Sequence, residues 1–268
     1  MRQQLPCSFV FLTFAVIAGA AVAGADAGRP AGGGFSLHPP SGAAAAASPA
    51  NAAIATGVAE ARARIEAFFG KPFPREFDVR IFASRAELDA HWRVAWKMPE
   101  LKSECWMVAS GTASELAILS PDAWAKEACE HDAANAAHLR GLLAHELTHV
   151  YHGQHNPRPE LDGLDAIAWF AEGLAVYASG QLEEGHQATA REAIERGAAP
   201  AALADAWTGR YRYGVSGSLV RFVDRRLGRA ELSALLAATT DAEILARLQL
   251  SEAELLAAWR AETIAPER

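Results

Sequence analysis

The chain has 268 residues, 51% of them hydrophobic, which is enough for one sizeable core. Its formal net charge is −7 and its Lys and Arg residues are not clustered, which excludes binding to nucleic acid through a basic patch. Beyond that exclusion the charge selects no partner.

The first 25 residues read as a signal peptide. Arg2 gives a short positive start, Ser8 to Ala23 is almost wholly apolar, and Ala21 and Ala23 form an A-x-A cleavage pattern, with Ala23/Ala25 and Ala25/Ala27 as later options. The apolar run is shorter than the roughly 20 residues of a spanning helix. Export to the periplasm or medium is therefore expected, with no membrane contact after cleavage. Cys7 would leave with the signal. Cys105 and Cys129 remain, an even pair expected to form a disulfide in an oxidising compartment. Residues 26–50 hold Gly32-Gly33-Gly34, Pro39-Pro40, an alanine run and Ser48-Pro49, and read as a low-complexity linker.

Order is expected from residue 51 to the end, as one domain. Ile54, Val58, Ala61, Ile65 and Phe68-Phe69 recur at helical spacing, with Gly70 as the stop. Alternation over Phe77–Phe82 marks a strand. Ser84 and Glu87 form a capping-box pattern ahead of Leu88, Trp92 and Trp96. Trp106–Ala109 and Glu115–Leu119 read as two further strands, turned at Ser110-Gly111-Thr112. From Pro121 onward the chain is helical, with segments near 135–153, 164–180, 184–197, 213–227, 229–238, 241–248 and 251–263. Strands first and helices later predict an α+β fold, a small, mainly antiparallel sheet followed by a mostly helical region.

The chemistry lies in His145-Glu146-Leu147-Thr148-His149, an H-E-x-x-H motif within a helical apolar pattern. Positions i and i+4 share a helix face, so both imidazoles can reach one metal ion. Glu146 beside them can take a proton from metal-activated water. One protein ligand is then missing. Glu172, in Trp169-Phe170-Ala171-Glu172-Gly173-Leu174-Ala175-Val176-Tyr177, has apolar neighbours on both sides, where an unpaired charge is costly. His155 stands ten residues after His145, as in the metzincin signature. That signature needs a glycine where His152 stands, and a methionine downstream, where there is none. The pattern favours Glu172, and leaves His152 and His155 to the helix end, where imidazolium suits the dipole.

H-E-L-T-H followed by W-F-A-E-G-L-A-V-Y resembles the gluzincin superfamily of zinc metallopeptidases, and is similar to the small peptidase-MA-like proteins. Tyr213–Phe222 and Leu248–Arg260 resemble their later helices more weakly, and the resemblance spans roughly residues 135–262. It implies a zincin-like catalytic region that binds one Zn2+ per chain through His145, His149 and Glu172. It further implies hydrolysis of a peptide or protein substrate with Glu146 as general base. It also implies a donor to the developing oxyanion, for which Tyr213 is the first candidate, Tyr211 the second and His186 a third. The alternative is a catalytically retired peptidase-like binding module, against which the presence of Glu146 argues. No G-x-M-E-N segment is present to grip a substrate N-terminus, which argues against aminopeptidase activity. Val176 stands where thermolysin-like enzymes place an aspartate to orient a zinc histidine, so that support must come from elsewhere, with Asp162, Asp165 and Asp205 as options.

Overall fold

The computed structural model describes residues 34–40 and 48–265, with the side chain of Glu184 left out. The expected signal peptide, its Cys7 and the alanine run lie outside these residues. The first helix, α1 (Pro49–Phe69), starts where Ser48 accepts a hydrogen bond from the Ala50 N–H and stops at Gly70, which is left-handed (φ 68°). Strand β2 (Phe77–Phe82) turns Phe77, Val79 and Ile81 into the core. The helix α2 (Arg85–Ala95) follows, with Ser84 accepting from the Glu87 N–H. The Glu87 carboxylate accepts from the Ala83 N–H, one residue before the position a capping box uses.

Strands β3 (Ala109–Thr112) and β4 (Glu115–Leu119) form an antiparallel hairpin that pairs Thr112 with Glu115 and Ala109 with Ile118. The expected strand at Trp106–Ala109 thus begins three residues later, and the stretch read as its turn is the strand itself. A fourth strand, β1 (Phe35–His38), lies inside the stretch read as a linker and places Phe35 beside Phe77. The sheet order is β1-β2-β4-β3; β1–β2 and β2–β4 are parallel and only β3–β4 is antiparallel. The sheet is therefore mixed, not mainly antiparallel. β2 and β4 are joined through α2, a crossover that permits parallel pairing.

The helical region comprises α3 (Pro121–Glu127), α4 (Ala136–His155), α5 (Ala168–Ser179), α6 (Gln187–Glu195), α7 (Arg212–Leu227), α8 (Arg229–Ala234), α9 (Asp241–Leu248) and α10 (Glu252–Ile264). The architecture is α+β, as expected. The last two helices each open with a complete capping box, Thr240 with Glu243 and Ser251 with Glu254. Trp92, Trp124, Trp169 and Trp259 are fully buried, and each indole N–H has a partner: Ser110 Oγ, the Leu119 carbonyl, Asp241 Oδ1 and Ser218 Oγ respectively. Cys105 and Cys129 are disulfide-bonded, as expected.

Two close approaches set how α4 and α5 are packed. Gly111 of β3 lies against α4, where a Cβ would fall 2.2 Å from the Glu146 carbonyl oxygen and 3.1 Å from His149 Cβ. Gly173 of α5 lies against α7, where a Cβ would fall 2.3 Å from the Ser216 carbonyl oxygen. With no side chain at either place, backbones pack directly, and α5 can bring Glu172 up to α4.

Candidate metal centre

α4 carries His145, Glu146 and His149 on a mostly buried stretch, each with 8% of its surface exposed. Its start is set by Asn135, whose side chain accepts from the Ala137 and His138 N–H groups, both at 3.1 Å. One helical turn places His145 Nε2 and His149 Nε2 3.3 Å apart. Glu172, on α5, brings Oε2 to 3.3 Å from His145 Nε2 and 3.5 Å from His149 Nε2. The three atoms make a nearly equilateral triangle. Ligands about 2.0–2.1 Å from a tetrahedral centre stand about 3.3–3.4 Å from one another, so the donor set and its spacing fit a small divalent cation. His145, His149 and Glu172 are thus a group that could hold a metal ion.

Charge agrees with that geometry. Burial alone would raise the Glu172 carboxyl, but the two imidazoles outweigh it and hold the group well below the ordinary carboxylate range. Burial disfavours the charged form of His149, yet the adjacent Glu172 raises its pKa overall. Glu146 is different. Burial dominates and raises its carboxyl, opposed by His145, His149 and a hydrogen bond from the Gly111 N–H. The close passage of β3 thus also brings a backbone N–H to the Glu146 carboxylate.

The other histidines of the helix lie elsewhere. His155 Nδ1 donates to the Tyr151 carbonyl (2.8 Å), and its ring lies over that of Tyr151. His152 and His155 both stand in the last turn of α4, as expected, but His152 is not charged. It is fully buried against Phe170, and burial pushes its pKa down to about 3, so it is neutral. Its Nδ1 is, among the described residues, the buried side-chain polar atom without a hydrogen-bond partner.

Of the candidate oxyanion donors, Tyr213 is half-buried, stacked on His186 (centroids 5.2 Å) and edge-on to Trp207 (5.0 Å). Burial, and to a lesser extent the charge of His145, lower the pKa of His186. Tyr211 bonds with Arg210, which also covers its ring.

None of the three aspartates is the partner of His145. The partner of His145 Nδ1 is Gln181 Oε1, at 3.0 Å. The Asp162 carbonyl accepts from Arg158, while Asp165 and Asp205 sit in short 3-10 turns at 165–167 and 203–205. No motif spacing flags Gln181 in the sequence. It stands just past Gly180, the left-handed C-cap of α5 (φ 85°).

No family model, no curated protein and no solved structure matches the chain.

Proposed function

We propose that the chain is an exported zinc metallopeptidase of the gluzincin kind, acting on a peptide or protein substrate. One observation carries the reading: two imidazoles and a carboxylate converge at metal-ligand spacing, with a second carboxylate, Glu146, held beside them. A purely structural site would have no use for that second carboxylate. Zinc held by His145, His149 and Glu172 would supply Lewis acidity, polarising the scissile carbonyl and bringing the pKa of an attacking water to about 7.

The rest is the work of the chain. Glu146 takes the proton of the attacking water on its carboxylate and returns it to the leaving amine. A carboxyl raised by burial is a stronger base for taking that proton, and its protonated form is still far more acidic than an ammonium ion, so it can hand the proton on to the leaving amine. Tyr213, backed by His186 and Trp207, is the proposed donor to the developing oxyanion. Export is supported by the disulfide, and no described helix is long and apolar enough to cross a membrane.

The test is Glu146→Gln, assayed against an unfolded protein substrate such as reduced casein. Hydrolysis is expected to fall by at least roughly 100-fold while metal content stays at the wild-type level. Undiminished hydrolysis, or loss of the metal together with the activity, would remove Glu146 from the role of base.

A further inference from the structure

We infer that Gln181 is the positioning residue of the metal centre: its side-chain carbonyl fixes the tautomer and direction of the His145 ring, so that Nε2 is presented bare to the metal. The inference rests on the metal-centre reading above and adds to it a residue that the ligand pattern does not contain.

The geometry is direct. Gln181 Oε1 lies 3.0 Å from His145 Nδ1. A carboxamide oxygen can only accept, so Nδ1 must carry the proton, and in the neutral ring Nε2 is left with its lone pair. That lone-pair nitrogen is the atom that faces His149 Nε2 and Glu172 Oε2. A ligand histidine needs such a partner on its far nitrogen, and losing it typically weakens metal binding 10- to 100-fold.

The surroundings show a built support. α5 ends at Gly180, whose left-handed backbone turns the chain back toward α4. A Cβ at Gly180 would lie 1.9 Å from the Arg64 guanidinium, so that side chain fills the space against the turn. Arg64 Nε donates to the Ala178 carbonyl at 3.2 Å, which ties α1 to the end of α5. The Gln181 N–H donates to Ser179 Oγ at 3.4 Å. On α4, Gly141 lies beside the amide, where even a Cβ would only touch Gln181 Nε2 at an ordinary 3.6 Å. Arg64 and Gly180 together fix the turn from which Gln181 reaches His145.

The support is a neutral amide. A carboxylate there would draw the proton from Nδ1, make the imidazole a stronger donor to the metal and bind the cation more tightly. An amide gives orientation without that added charge, at a centre where Glu172 already supplies one negative ligand. The trade predicts opposite effects for two substitutions. Gln181→Leu keeps the bulk and removes the acceptor. Gln181→Glu keeps the acceptor and adds charge.

The experiment uses the full mature chain and two readouts. The first is zinc affinity by competition with a chromophoric chelator. The second is the tautomer of His145 in the metal-free protein, read from the 15N shifts of its ring. Gln181→Leu is expected to weaken zinc binding 10- to 100-fold and to release His145 into a mixture of tautomers, while Gln181→Glu binds zinc at least as tightly as wild type. A Leu variant with wild-type affinity and an unchanged His145 tautomer would overturn the inference, as would a Glu variant as weak as Leu. A wild type that binds no zinc would instead sink the metal centre, and the tautomer readout would then still decide whether Gln181 orients His145.

Discussion

At position 152 a histidine is sealed in the core one turn beyond the second ligand, and its proton is excluded. Its pKa of about 3 in the folded chain lies below the 6.5 of a free imidazole, so the unfolded chain takes up the proton first. Stability from this group is complete above about pH 6.5 and is lost as pH falls through the window toward 3. At about 1.4 kcal/mol per unit, the loss reaches at most roughly 5 kcal/mol. Urea unfolding of metal-free protein between pH 7 and 4 should show that decline, and His152→Leu should flatten it. An equal slope in both proteins would assign the lost protons to other groups. His145, Glu146 and His149 were legible as a group because sharing one helix face demands fixed spacing. Glu172 was legible through its apolar flanks. Gln181 and His152 were not, because their roles depend on which neighbour meets the ring, a tertiary fact that local periodicity does not encode.

Among the elements, the helices were legible nearly to their ends, since a 3.6-residue apolar period and signals such as the Gly70 stop and the Ser84 cap are local. The sheet was legible only in part. Phe77–Phe82 and Glu115–Leu119 stand where alternation put them. The strand β1 is four residues among prolines and glycines, too short for a pattern to rise above its composition. Parallel pairing of β2 with β4 is a long-range arrangement that no turn motif announces. Gly111 reads as a turn residue, yet it is needed for clearance beneath Glu146 and His149. Clearance also governs α5 against α7. A methyl group at Gly173 would collide with backbone at Ser216, which cannot swing aside as a side chain would. Gly173→Ala should therefore cost about 1–3 kcal/mol or more, and it should loosen metal binding, because the displaced helix is the one that carries Glu172. A variant with wild-type stability and affinity would show that the helices part without consequence.

For the whole molecule, the sheet hairpin and the helical region meet at the candidate metal centre, and the segment ahead of the hairpin is braced twice. The Cys105–Cys129 bridge closes a separation of 24 residues. The Arg85 guanidinium donates to the carbonyls of Cys105 (3.0 Å), Met107 (2.8 Å) and Glu127 (2.7 Å). Reduction, or the double substitution Cys105→Ala with Cys129→Ala, should cost about 3 kcal/mol through the freed unfolded chain. For a domain of this size that lowers Tm by roughly 6–12 °C. Because Arg85 still ties the same carbonyls, the folded structure and its metal affinity should survive. Loss of metal on reduction would mean that the bridge shapes the centre and does more than restrict the unfolded state.

The central claim is that α4 and α5 together hold one metal ion, and it is tested most directly by metal content. The mature chain, from about residue 26 onward, would be purified as wild type and as Glu172→Ala and both analysed by mass spectrometry for bound metals after dialysis. The account predicts about one zinc per wild-type chain and strongly reduced occupancy in the variant, with both proteins folded. No metal in the wild type after incubation with zinc, or full occupancy without Glu172, would contradict it.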